Sequence, residues 1–216
     1  MQLNKKVLIG VGGCITACIG ALGLAYMGQS QADLPSEPNY QQTAVSMKNI
    51  NLEQLKAQGF WFDSERKLLW YRCHLGQTFD GQQCIGENKP LAFHQVQTQI
   101  DALNQQHWQG INQWRLADIH ELHRLIECST GFVDQTNLPN QNQVAHGCKP
   151  DGYQRPTINK NIFLATESDW YWSATAYQAA SKGAAKTVWG AYLSSGYVYD
   201  LSIEQKGYVY VLSTVQ

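Results

Sequence analysis

Hydrophobic and polar positions alternate with a different rhythm in successive stretches of the chain. Residues 7–27 hold no charged side chain and follow Lys5 and Lys6. At 21 residues this run is long enough to cross a bilayer as a helix. Residues 29–47 are polar and carry Pro35 and Pro38, the composition of a spacer. From Ile50 the pattern is that of a folded domain. Phe60, Trp61 and Phe62 lie on one side of the polar stretch 63–66 and Leu68, Leu69, Trp70 and Tyr71 on the other, which predicts two strands joined by a turn. Residues 76–86 read as a loop. Leu91, Val96, Ile100 and Leu103 then recur at helical spacing, predicting a helix over 90–105 with Pro90 in its first turn and Gly110 ending it. A second helix is expected from Asp118, with Asp118 and Glu121 in the two places of a capping box and Ile119, Leu122, Leu125 and Ile126 on one face.

Residues 129–161 are rich in Asn, Gln, Pro and Gly without a period and predict a long loop, a length that is usually functional or mobile. Strand chemistry resumes at 170–172, 188–193, 197–201 and 208–212. Gly-Tyr-Val-Tyr occurs at Gly196 and again at Gly207 across a polar turn, which predicts a local hairpin pair. Alternation at Tyr197, Val198 and Tyr199 puts the valine on the face opposite the tyrosines, so one of these sets is exposed. Helices and antiparallel strands together give an α+β class, with residues 1–28 an export signal or anchor, 29–49 a linker and 50–216 the domain.

A basic leader before an apolar run is the pattern of an export signal. The length of the run favours a retained single-pass anchor, with the basic side cytoplasmic. Cleavage after Ala32, behind Ser30 and Gln31, and lipidation of Cys18 in Ile15-Thr16-Ala17-Cys18 are the alternatives. Each places the domain in the cell envelope, on the periplasmic or extracellular side. Beyond the first 32 residues, which contribute only Lys5 and Lys6, 14 basic groups face 17 acidic ones. A mildly acidic domain offers no footprint for nucleic acid. Cys73, Cys84, Cys128 and Cys148 form an even set in an exported, loop-rich domain, which reads as two disulfides with three connectivities open. Clustered Cys-x-x-Cys spacing for a metal is absent.

Several blocks stand in a telling order: Leu-Trp-Tyr-Arg-Cys ending at Cys73 and followed by Cys84, then Trp114-Arg115-Leu116, then Tyr171-Trp172-Ser173-Ala174-Thr175, then Ser195-Gly196-Tyr197-Val198-Tyr199. This order resembles the C-terminal domain family of the Legionella collagen-like protein, over about two thirds of the chain. The resemblance implies a C-type-lectin-like scaffold that displays loops for binding, and it implies a Cys73–Cys84 pair. Cys128–Cys148 is favoured with it because each pair closes a local loop. The chain departs from the family at Ala117, where relatives show proline, and at its C-terminus, which lacks their arginines. It has no Gly-X-Y tract to imply trimerisation. Sulfated glycosaminoglycans, the ligands associated with the collagen-like relative, need a basic surface that this domain does not have.

Residues able to do chemistry are scattered. His120 and His123 flank Glu121 at i, i+3 rather than the i, i+4 of a zinc helix, so a cap role fits Glu121 better. Glu37-Pro38-Asn39 matches a sugar-binding tripeptide but sits in the linker. Glu167 and Asp169, two apart, would lie on opposite faces of a strand, and Ser173 with His146 makes no recognisable elbow. No phosphate loop or dinucleotide fingerprint occurs, so the expectation is a non-enzyme without metal or cofactor. Arg115 is expected to pair with a carboxylate inside the domain. Aromatic side chains crowd the last 47 residues. Trp172 and Trp189 lie in motif strands and read as core. Tyr177, Trp189, Tyr192, Tyr197 and Tyr199 are the set a ligand would meet, with Tyr177 the expected exposed ring in the polar segment 175–187 and with the 129–161 loop beside it. The expected function is recognition of a glycan or protein ligand in the manner of an adhesin. The alternatives are an accessory subunit of an envelope machine such as a pilus or secretion system and, least supported, a hydrolase.

Overall fold

The computed structural model of the chain describes residues 51–133, 147–177 and 186–215. The expected anchor, Cys18, the linker with Glu37-Pro38-Asn39, His146 and the middle of the 175–187 segment lie outside them. Among the described residues no helix is long and apolar enough to cross a membrane.

The architecture is α+β, with three short α-helices and small antiparallel sheets among the described residues. A helix not expected from the sequence, α1 (Leu52–Ala57), opens it, capped by the Asn51 side chain. The expected hairpin follows as β1 (Phe60–Asp63) and β2 (Leu68–Tyr71), paired in antiparallel register from Phe60 with Tyr71 to Asp63 with Leu68. Asp63 builds the turn by accepting from the Glu65 and Arg66 amides. The 76–86 loop carries its own two-residue strands, β3 (Thr78–Phe79) and β4 (Cys84–Ile85), whose pairing the Asp80 turn fixes.

The first long helix begins later than expected. Leu91 and Ala92 are extended as β5 (Leu91–Ala92), and α2 runs over Phe93–Gln105. Two partners hold Leu91 out of the helix: its carbonyl accepts from Trp172 Nε1 at 2.8 Å, and it pairs with Gly207 of β10 (Lys206–Gly207). Val96 and Ile100 point into the core as their spacing demands. A short 3-10 turn at Trp108–Gly110 separates α2 from β6 (Arg115–Leu116). The second expected helix is α3 (Ile119–His123), with its capping box formed: the Glu121 amide donates to Asp118 and the Asp118 amide to Glu121, at 2.8 and 2.9 Å.

The remaining strands are β7 (Trp170–Ala176), β8 (Thr187–Tyr192), β9 (Tyr197–Ser202) and β11 (Val211–Thr214). One sheet has the order β1-β2-β11-β6 and another β7-β8-β9. The two Gly-Tyr-Val-Tyr copies therefore do not form a hairpin with each other. The first enters β9 and pairs with β8; the second leads into β11, which lies between β2 and β6. Glu167 and Asp169 also differ from expectation, since β7 starts only at Trp170.

Each sheet separates two apolar clusters. On one side Leu69, Tyr71 and Val211 of the first sheet join Trp172, Val188 and Leu201 of the second; on the other Leu68, Trp70 and Leu212 join Tyr171, Ala191 and Val198. A strand with a core on both faces loses hydrophobic–polar alternation, which is why β2 is an unbroken apolar run. Trp114 stacks on Phe60 at 5.7 Å within the first cluster. Disulfides Cys73–Cys84 and Cys128–Cys148 form, in the favoured connectivity.

Candidate functional site

The register of the three-stranded sheet decides where each aromatic ring points, because directly opposed residues share a face. Trp170 pairs with Tyr192 and Tyr192 with Tyr197; Trp172 pairs with Gly190 and Gly190 with Tyr199. Trp170, Tyr192, Tyr197 and Tyr199 thus stand on one face. Their rings touch, with centroids 4.8 Å apart for Trp170 and Tyr192 and 5.5 Å for Tyr197 and Tyr199. Tyr199 is 51 % exposed and the other three are half-buried. Gly190 is at the centre of this face, where a Cβ would press on the Tyr171 carbonyl and Leu201.

Trp189 stands on the opposite face, with Ala191 and Val198. It is half-buried against the second cluster and meets Tyr177 edge-on at 5.2 Å. The expected five-residue set is therefore split: Tyr192, Tyr197 and Tyr199 come together, while Trp189 and Tyr177 pair elsewhere. Tyr177 is half-buried, and Tyr199 takes the exposed place expected for it. Trp170 completes the face and was missing from the expected set. Its signal was parity: in β7 it stands two residues from Trp172 and opposite the phase of Tyr171.

The long loop reaches the same face. Its far end is held by Cys128–Cys148, by the Cys148 amide donating to the Ser195 carbonyl at 2.8 Å, and by the Phe132–Cys148 bridge. Gly147, at positive φ, lies directly under the Tyr197 ring, where any Cβ would collide with it. The loop and the aromatic segment thus meet at Gly147 and Tyr197.

Behind the sheet a ring of hydrogen bonds joins buried His74 and Tyr171 to half-buried Asn88 and exposed Glu167. His74, next to Cys73, is 1 % exposed. The Glu167 amide donates to the Tyr171 hydroxyl at 2.8 Å, and that hydroxyl lies 2.8 Å from His74 Nε2. His74 Nδ1 lies 2.5 Å from Asn88 Oδ1, and Asn88 Nδ2 donates to Glu167 Oε1 at 2.7 Å, which closes the ring. Tyr208 and Tyr210 pack on the imidazole with centroids at 4.9 Å. Burial, only partly offset by Asn88, lowers the His74 pKa to about 4, and burial raises the Tyr171 and Tyr210 phenols. Both imidazole nitrogens of His74 are engaged within the ring, which joins the loop after Cys73 to the sheet, with Tyr208 and Tyr210 packed on it. His74 carries no periodic or motif signal of its own.

The other chemistry-bearing residues also have structural partners. Arg115 forks onto Glu121 at 2.6 and 2.7 Å, the internal carboxylate expected for it. Ser173 is fully buried and donates to the Trp189 carbonyl at 2.6 Å. Among the described residues no cluster of His, Cys, Asp or Glu is arranged to hold a metal.

No curated protein and no solved structure matches the chain. The family described as the Lcl C-terminal domain matches residues 59–213, a span that contains β1, both disulfides, the hydrogen-bonded ring and the aromatic face. The chain belongs to the Lcl C-terminal domain family.

Proposed function

We propose that this protein is an adhesin-like recognition domain of the cell envelope, C-type-lectin-like in scaffold, that binds a glycan or protein on the face of Trp170, Tyr192, Tyr197 and Tyr199. The observation that carries this reading is the exposure of Tyr199, at 51 %, over a contiguous ring surface beside the disulfide-held loop. Tyr and Trp suit recognition because they offer large, stiff, amphipathic contact area at little entropic cost. An envelope location fits two disulfides in one domain. Lys5 and Lys6 before the apolar run fit a single-pass anchor, and this feature favours the second reading, a subunit of an envelope machine whose partner is a protein on the same membrane. The reading is non-enzymatic and without cofactor, since His74 and Ser173 are sealed in structural hydrogen bonds.

Glycan-array binding by the full chain, compared with Tyr199→Ala and Tyr192→Ala, tests the site. The expected result is saturable binding that each variant weakens by about tenfold, the size of a lost hot-spot ring, with unchanged melting. Retained binding in both variants would move the site elsewhere. Absence of any glycan ligand, with cross-linking in native membranes to one envelope protein through the same face, selects the second reading. Turnover of an ester or glycoside that vanishes in Glu167→Gln would overturn both.

A further inference from the structure

Arg72 follows β2 and is only 8 % exposed. Buried charges are normally paired with a counter-charge. Arg72 instead donates from Nε to the Ile162 carbonyl at 2.6 Å and from Nη2 to the Asn161 carbonyl at 2.8 Å, and its face lies over the Phe79 ring. Among the described residues no carboxylate comes within salt-bridge distance of it. The two carbonyls occupy one edge of the guanidinium. The other edge, Nη1 with the second Nη2 hydrogen, has no acceptor among the described residues.

Arg72 also lines a cleft of about 320 Å³ together with Leu52, Trp61, Phe62 and Ile162. That volume lies at the lower end of ordinary ligand sites, roughly 300–1,000 Å³. Glu53 and Lys56 share the α1 wall and cancel in charge, which leaves Arg72 to set the sign of the cleft. A planar fork binds a carboxylate or a phosphate bidentately, and the single charge of a carboxylate costs less to desolvate beside the apolar wall. The apolar wall around it asks for an apolar neighbour to that carboxylate. A sugar acid fits less well, because its ring would set hydroxyls against Leu52, Phe62 and Ile162, with only Glu53, Lys56 and Asn161 in the lining to pair them.

We propose that this cleft is a second binding site, which takes the C-terminal carboxylate of a peptide ending in an apolar residue. The carboxylate sits on the free edge of Arg72, and the terminal side chain packs on Leu52, Phe62 and Ile162. The site shares no residue with the aromatic face, so it stands or falls independently of the glycan reading. Isothermal titration of the full chain with N-acetyl-Ala-Ala-Leu as the free acid, against the same peptide as its C-terminal amide, is the test. The acid is expected to bind, and the amide to bind at least about tenfold more weakly for want of the charged fork. Arg72→Lys keeps the charge but not the fork and is expected to lose a similar factor. Because Arg72 also ties down residues 161–162, Leu52→Asp serves as the second variant. Leu52 is 56 % exposed, so this protein is expected to melt as the parent does and still lose binding. Equal binding of acid and amide, no binding of the acid, unchanged affinity in Leu52→Asp, or binding of glucuronate in place of the peptide each overturns the proposal.

Discussion

At the scale of single residues, the polar ring around His74 has a defined proton count. Asn88 Nδ2 donates to Glu167, so Asn88 Oδ1 is an acceptor and His74 Nδ1 must carry hydrogen. His74 Nε2 then accepts from the Tyr171 hydroxyl, and the neutral imidazole satisfies every member. A proton on Nε2 would make the Tyr171 hydroxyl the acceptor and leave it only the Glu167 carbonyl, at 3.3 Å, to donate to, in a site where burial already disfavours charge. The folded pKa of about 4 lies below the ordinary histidine value near 6.5, so the unfolded chain binds this proton more readily. The contribution to stability is therefore complete above pH ~6.5, is lost as pH falls toward about 4, and levels off below that. At ~1.4 kcal/mol per pH unit the whole loss is about 3 kcal/mol. Urea unfolding of the parent and of His74→Gln at neutral pH and near pH ~4.5 measures it. The variant is expected to be less stable at neutral pH and to show a shallower decline with acid; parallel declines would remove His74 as the titrating group.

At the scale of elements, Arg115 and Glu121 join β6 to α3. Glu121 accepts both arms of the fork and the Asp118 amide, so one carboxylate serves as counter-ion and as cap. The side chains are 9 % and 14 % exposed. Removing one partner of a buried pair leaves the other uncompensated, which costs about 3–5 kcal/mol. Arg115→Ala should approach the lower figure, since Glu121 keeps its cap role, and Arg115→Lys should lose less. A loss under about 1 kcal/mol in urea unfolding would show that solvent reaches Glu121 and that the pair is ornamental. This junction was readable in advance, because a capping box and an arginine just upstream of it are local signals. Other elements were not. Helix α1 buries only Leu55 and so has no amphipathic period to read. Leu91 stands five residues before Val96, off the face that Val96, Ile100 and Leu103 share, and partners more than 80 residues away, Trp172 and Gly207, draw it into a strand. The repeated Gly-Tyr-Val-Tyr gave the right alternation and the wrong neighbours, since periodicity fixes which face a side chain takes and not which strand lies beside it. The split of the aromatic set was readable in part: Trp189 and Tyr192 are three apart in one strand and must face opposite ways. That Trp170 joins Tyr192 required the register of β7 on β8.

Across the molecule, regular structure is sparse between the sheets, and covalent links stand where hydrogen-bond ladders are missing. Cys73–Cys84 ties the end of β2 to the small β3–β4 hairpin, over 11 residues of sequence. Cys128–Cys148 spans 20 residues and sets the base of the long loop against the turn between β8 and β9. Gly196 in that turn has φ +72°, and a Cβ there would come within 3.0 Å of the Cys148 sulfur, so turn and disulfide are fitted to each other. Loop-closure entropy assigns each link about 3 kcal/mol. For a domain of this size a kilocalorie shifts the melting temperature by roughly 2–4 °C, so each link is expected to be worth about 6–12 °C. Cys73→Ala and Cys128→Ala are each expected to lower the melting temperature by that order, with a smaller yield of folded protein. The two differ in where the damage falls. Loss of Cys128–Cys148 frees the segment under Tyr197 and should weaken ligand capture on the aromatic face, whereas loss of Cys73–Cys84 loosens the packing beside His74 and should make the decline with acid shallower instead, because a less buried imidazole charges more readily in the folded state. Unchanged melting in both variants would leave the fold independent of an oxidising compartment and remove the main structural support for placing it in the envelope.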